Sequence, residues 1–256
     1  MARKTNKSAQ KKATRKITKK SAKKTTRKSP SKKNPPPILV IDVGGSNLKL
    51  FATDQPERIK ISSGPEMTPE EMISVVKKAT KGWKYELVSI GIPCPVKNGR
   101  ATKEAVNLGK GWKDFDFSEA FSCPVKVIND AAMQALGCYR EGIMLFLGIG
   151  TGLGNCLIAE GIPVPMEAAH LPYKKKRSYE EYIGKEGLAR LGPKKWEKHA
   201  RKIITLFRTA FIVDDLVIGG GNAELLDPFP EDAREVDNSA AIEGGFRLWG
   251  QTRHPD

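Results

Sequence analysis

Between Met1 and Lys33 the chain has no Asp or Glu, although 15 Lys or Arg fall there. Of the 44 basic residues in the sequence this leaves 29, facing 29 acidic ones, so the net charge of +15 belongs to that first segment and the rest is balanced. The segment is also nearly without apolar residues: four Ala, Ile17 and Met1 are too few to offset the entropy of ordering it, and it is expected to be disordered. It has neither the apolar stretch of a secretory signal nor the amphipathic pattern of a transit peptide. No run anywhere approaches the ~18 apolar residues of a membrane span. Cysteine is scarce, with Cys94, Cys123, Cys138 and Cys156 scattered and no CxxC spacing, which suggests neither a disulfide framework nor a zinc site. These absences together read as a cytoplasmic protein.

What is present begins after "NPPP", Asn34 to Pro37, a stiff extended spacer that cannot run into a helix. From Ile38 on, runs of Val, Ile and Leu alternate with helical patterns, the order that builds an α/β domain, and 256 residues suffice for one large core or two modest ones. The clearest helix is "MTPEEMISVVKKA": Thr68 caps it, Pro69 takes the first turn, Glu71 completes a capping box, and Met72, Ile73, Val76 and Ala79 share a face. "PVKVIND" reads as a strand entering a small-residue helix whose first position is Asp130. "KKWEKHARKIITLFRTAF" spaces Trp196, Ile203, Leu206, Phe207 and Phe211 helically, and "DDLVIGGGNAELL" reads as strand, glycine turn and helix start. The order strand, glycine turn, strand occurs twice, near residue 42 and near residue 150.

Three glycine turns follow apolar strands: "DVGGSN" (Gly44, Gly45, Ser46), "GIGTGLG" (Gly150, Thr151, Gly152, Gly154) and "VIGGGNAE" (Gly219, Gly220, Gly221). Such turns let backbone N–H groups approach a phosphate with no Cβ in the way. A single one is most often a tight hairpin, and three in one small protein ask for another reason. None fits the GxxxxGK[ST] phosphate loop, and the second joins two strands instead of opening a helix, so a P-loop enzyme or a Rossmann dehydrogenase is unlikely on pattern alone. Asp42 and Asp130 each stand at a strand end. An isolated Asp130 would be read as a helix N-cap. Beside Asn129, where ligands gather in an open α/β sheet, it can instead take the proton from a hydroxyl that attacks phosphorus. Asp42 beside a phosphate turn would hold Mg²⁺, directly or through water.

The segments "ILVIDVGGSNLKLFATD", "GIPCPVKNG", "NLGKGW", "VIND", "GIGTGLG" and "LVIGGGNAE", in this order, resemble the ROK sugar kinases, and most closely their polyphosphate glucokinase branch. The resemblance covers about residues 38–250. It implies an α/β, two-lobed actin-like ATPase or hexokinase (ribonuclease H-like) fold, with lobes at 38–137 and 138–256 and a final helix near "AAIEGGFRLW" returning to the first. It makes Asp130 the catalytic base on the 6-hydroxyl of glucose. Asn107, Asn129, Glu167, His170 and Glu180 become sugar ligands, and the three glycine turns, with Asp42 and Lys49, the phosphate and nucleotide side. Read without the resemblance, His170 is an ordinary loop histidine and Glu180 a solvated helix residue. The family's zinc ligands have no cysteine counterparts after His170, so zinc is expected to be absent, and Cys94 stands where the family usually has Gly.

The phosphoryl donor implied is polyphosphate or ATP, and a homodimer is compatible with the family. Residues 174–177, Lys-Lys-Lys-Arg, are either a solvated turn or a contact for a polyanionic donor. The tail 1–33 suits nucleic acid or polyphosphate through counterion release, and without aromatics it would grip a backbone and stack no bases. The rival readings are a kinase for another hexose and a non-catalytic sugar-responsive regulator, since the family also contains repressors. Those carry a folded helix-turn-helix ahead of the sugar domain, which this tail cannot form.

Overall fold

The computed structural model describes residues 35–105, 107–237 and 239–251. The segment expected to be disordered, 1–33, lies outside the described residues.

β1 (Ile38–Val43) is buried along its whole length, as a central strand covered on both faces must be. It bends at the first glycine turn into β2 (Asn47–Ala52), which continues into β3 (Ile59–Ser62), both antiparallel. α1 (Pro69–Ala79) then crosses to β4 (Leu87–Ile92), parallel to β1. Thr68 and Glu71 form the expected capping box, and Met72, Ile73 and Val76 turn inward. A small hairpin, β5 (Val96–Lys97) and β6 (Arg100–Ala101), and α2 (Phe117–Phe121) lead to β7 (Val125–Asn129), parallel to β4. The sheet order is β3-β2-β1-β4-β7.

α3 (Asp130–Cys138) carries the chain to a second sheet, opened by the meander β8 (Ile143–Ile149), β9 (Leu153–Ala159) and β10 (Ile162–Pro165). The hairpin β11 (Pro172–Lys174), β12 (Arg177–Ser178) and the helices α4 (Tyr179–Ile183), α5 (Lys185–Leu191) and α6 (Pro193–Ala210) follow. β13 (Asp215–Gly219) then lies parallel to β8, β14 (Arg234–Glu235) parallel to β13, and α7 (Ala240–Arg247) ends the fold. The order β10-β9-β8-β13-β14 repeats the connectivity of the first sheet. The two strand–glycine turn–strand patterns therefore occupy equivalent places in the two sheets.

α1 and Trp112 cover one face of the first sheet and α7 the other, while α3 covers one face of the second sheet and α6 the other. α3 and α7 touch closely because Gly137 and Gly244 leave room: a side chain on either would run into the other helix's backbone, at Ala240 or Met133. α7 is also seated on the first sheet, where the Ser89 hydroxyl donates to the Gly245 carbonyl at 2.6 Å and accepts from the Trp249 indole at 2.9 Å.

Two expectations need correction. The buried stripe of α6 is Trp196, Ala200, Ile203, Ile204 and Phe207. Leu206, one residue and therefore ~100° round the helix from Phe207, is 38% exposed. After "GGGN" only a single 3-10 turn forms, Ala223–Leu225, because Pro228 and Pro230 follow too soon for a helix to continue.

Candidate active site

The parallel order β1-β4-β7 brings the carboxyl ends of three strands to one edge, with Asp42, the Cys94 loop and the Asn129–Asp130 junction side by side. Asn129 caps α3, its Oδ1 accepting the Ala132 N–H at 3.1 Å while its amide donates to the Cys94 carbonyl at 3.3 Å. The cap being filled, Asp130 sits at the first helical position, its carboxylate accepting the Ala131 N–H at 2.8 Å and feeling its own backbone N–H. Burial, then the Asp42 charge, and at longer reach Glu167, push the Asp130 carboxyl up to about 7, against the opposing pull of backbone N–H groups. Such a group is half ionised near neutrality, the condition a general base needs.

Asp42 is 4% exposed and faces Lys49 across the β1–β2 ladder, with Nζ 2.8 Å from Oδ2. Between them lies the first glycine turn. The Gly44 N–H donates to the Asn47 carbonyl at 2.9 Å, and Ser63 braces the turn by donating its hydroxyl to the Gly44 carbonyl (2.6 Å) and its N–H to that of Ser46 (3.0 Å). Among the described residues the amides of Gly45 and Ser46 meet no acceptor, so these two are the donors left for an anion. Asn107, exposed, backs onto this turn: a Cβ on Gly45 would lie 3.2 Å from its Cβ.

The second turn is arranged in the same way. Gly150 donates to the Gly152 carbonyl at 3.0 Å, leaving the amides of Thr151 and Gly152 without acceptors among the described residues. Glu180 at the start of α4 reaches over it, accepting the Leu153 N–H at 3.2 Å, and any side chain at Gly152 would collide with its carboxylate. Gly154 lets β9 lie against Ala131 beside Asp130, so the second turn comes next to the proposed base. The third turn is stapled to the second, with the Asn222 N–H on the Ile149 carbonyl at 2.9 Å and its side-chain amide on the Gly150 carbonyl at 3.1 Å. A cavity of about 390 Å³ opens beside it, lined by Gly220, Gly221, Glu224, Glu235, Val236 and Asp237.

Glu167 and His170 pair at 3.2 Å on a 3-10 turn, both side chains more than 40% exposed. Burial first, and then Glu180, raise the Glu167 carboxyl, while His170 and Lys103 pull it down. Asp42, Asp130, Glu167 and Glu180 thus form a chain of carboxylates that feel one another. The fold brings these four sequence-predicted carboxylates within electrostatic reach of one another. Sequence reasoning missed Lys103, and also Asn155, whose buried Oδ1 holds the Ala168 N–H at 3.3 Å and so fixes the Glu167 turn. An asparagine amid the apolar residues of β9 was the available signal. Among the described residues no three His, Cys, Asp or Glu gather as a metal cage. Lys49 engages one oxygen of Asp42, and the other is a single carboxylate donor that fits Mg²⁺ carried mainly by phosphate oxygens and water. Among the described residues no helix is long and apolar enough to cross a membrane.

The sequence pattern of the ROK family matches residues 38–165. The chain is 27% identical over 235 residues to the polyphosphate glucokinase of Mycobacterium tuberculosis, covering 80% of this chain and 88% of that one. Its fold is that of the inorganic polyphosphate/ATP-glucomannokinase from Arthrobacter sp. strain KM (TM-score 0.70, 23% identity, 82% of this chain and 97% of that one). It is likewise that of a ROK family glucokinase from Streptomyces griseus in complex with glucose and AMPPNP (TM-score 0.66, 18% identity, 83% and 98%).

Proposed function

This chain belongs to the ROK family, and from that membership we propose that it is a sugar kinase transferring a phosphoryl group from polyphosphate or ATP to the 6-hydroxyl of glucose. One observation carries this reading: a carboxyl poised near 7, Asp130, stands between two side-chain-poor turns whose outward amides are unspent. Asp130 takes the proton of the attacking hydroxyl. Gly45, Ser46, Thr151 and Gly152 offer N–H groups to the phosphates, and Gly44 and Gly150 shape the turns. The Lys49 ammonium adds charge beside Asp42, which would hold Mg²⁺, and Mg²⁺ would neutralise charge on the phosphates. Asn107, Glu167, His170 and the free oxygen of Glu180 bind sugar hydroxyls. The remaining N–H of the Asn129 amide is available to them too, though its cap and the Cys94 carbonyl occupy the rest of the side chain. The cavity at Gly220 and Gly221 takes the nucleoside when ATP is the donor. The halves 38–137 and 138–256 close over the sugar and exclude water, the competing acceptor.

Relatives named for polyphosphate-dependent and ATP-dependent phosphorylation support the donor pair. The test is a glucose 6-phosphate assay with each donor on the full chain and on Asp130→Asn. Turnover falls ~10²–10⁴-fold in the variant with circular dichroism unchanged. Near-normal turnover would remove Asp130 from the chemistry, and no product from either donor would leave a kinase for another hexose or a sugar-responsive regulator.

A further inference from the structure

Outside the site, positive charge is concentrated on one face of a body whose total charge is balanced. β11 and β12 form a hairpin whose two-residue turn is Lys175-Lys176, with φ of +51° and +62°. Both positions of such a turn favour Asn or Gly, and a side chain with a Cβ is strained there. Here they hold lysines, flanked by Lys174 and Arg177. The hairpin does not wave freely: Tyr173 at its base bonds His199 of α6 through its hydroxyl at 3.0 Å and packs edge-on against Tyr182 at 4.9 Å. On α6, His199 lies four residues after Lys195 and three before Lys202, and Lys198 lies four before Lys202, so the three lysines form one row beside the ring. The His199 imidazole is held below its ordinary value by burial first and then by the charges of Lys174, Lys202 and Lys198. Acidic side chains nearby include Glu180, which accepts the Leu153 N–H, Glu181, bound in the α4 capping box, and Glu197, paired with Arg201 at 2.7 Å.

This face leads to the site. Glu180 lies three positions after Arg177, so their Cα atoms are within ~11 Å, and Glu180 touches the second phosphate turn. Among the described residues no aromatic side chain is among the largely exposed apolar ones, and the half-buried rings on this face, Tyr173 and His199, are packed edge-on against each other.

The geometry points to a binding track for linear polyphosphate, formed by the β11–β12 hairpin and the Lys195, Lys198, Lys202 side of α6, which holds the chain of a long donor while its end occupies the glycine turns. It rests on the donor reading above and adds where the distal phosphates go. A linear chain of repeating phosphate charge is what a face of lysines, its half-buried rings packed on one another, attracts.

The test uses the full chain and the triple variant Lys195→Gln, Lys198→Gln, Lys202→Gln, none of them at the reaction centre. The KM for long-chain polyphosphate rises about tenfold in the variant with kcat unchanged, while tripolyphosphate and ATP give the values of the parent. Its dependence on salt also becomes shallower, by about 2 in the log–log slope. An unchanged KM for the long chain, or an equal rise for all three donors, overturns the track. Lysine acetylation read residue by residue tests the same face without turnover and separately from the tail: long-chain polyphosphate protects Lys175, Lys195, Lys198 and Lys202, and tripolyphosphate does not. Absent protection, or protection by duplex DNA at lower concentration, overturns the assignment. Failure to phosphorylate glucose from polyphosphate sinks the donor reading alone, since the footprint is read in its absence.

Discussion

Asn129 accepts the Ala132 N–H at 3.1 Å and thereby performs the capping that the sequence alone would give to Asp130. An aspartate used as a cap is held by backbone donors that stabilise its charged form and lower its pKa. Moved one position into the helix, Asp130 keeps only nearest-neighbour backbone donors, its own N–H and that of Ala131, and the effects of burial and of Asp42 outweigh them. The division of labour between two adjacent residues leaves one of them with the raised carboxyl that the proposed base requires.

That division predicts opposite pH trends for activity and stability. The base must be ionised, so kcat/KM for glucose rises with pH and levels off above about 7. The folded-state value lies above the ordinary ~3.9 of an aspartate, so the native chain binds this proton more tightly than the unfolded chain between about pH 4 and 7. Stability is therefore lost as pH rises through that window. Urea unfolding at pH 5 and pH 8 shows the loss in the parent and a smaller one in Asp130→Asn. Equal slopes in the two proteins would show that Asp130 is not perturbed.

Lys49→Met removes the partner of a carboxylate that is 6% exposed. Leaving it unpaired costs about 1–3 kcal/mol, less than a fully buried pair because the ammonium is itself 25% exposed. The double variant Asp42→Asn, Lys49→Met recovers part of that loss, and the cycle gives a coupling of at least 0.5 kcal/mol in size. Strict additivity of the two single changes in urea unfolding would contradict a pair of this kind.

Gly152→Ala puts a methyl group where the Glu180 carboxylate lies. Either the turn or Glu180 must move, and a displacement of about 1 Å at a site of this kind lowers kcat/KM by as much as ~10²-fold. Thermal unfolding shifts little, because the turn lies at the mouth of the site and not in the core. A variant with full activity would mean that the contact has no part in function.

Phe246 of α7 is 1% exposed and packs among Ile38, Val40 and Ile242. Phe246→Ala is expected to cost about 3–5 kcal/mol in urea unfolding. A cost below 1 kcal/mol would show that α7 does not hold the first sheet.

Local chemistry written in consecutive residues was legible beforehand. The α1 capping box at Thr68 and Glu71, the β8–β9 hairpin through "GIGTGLG" and the small-residue helix after Asp130 all came out as their spacing requires, because each is decided by bonds a few residues long. Leu206 was misplaced because helical spacing gives a stripe's period but not its edge. The roles of Asn129 and Asn222 were hidden for a different reason: their partners, Cys94 and Gly150, are 35 and 72 residues away.

The sequence by itself determined that side-chain-poor turns would end apolar strands and that a carboxylate would follow one of them, since strand pattern and glycine content are local properties. Only the tertiary structure decided which amides remain unspent, which carboxylates share a cleft, and that Lys49 answers Asp42 while the lysines of α6 gather around a hairpin. Register across strands and the packing of distant helices set those distances, and charge acts through distance in space, whatever the separation along the chain.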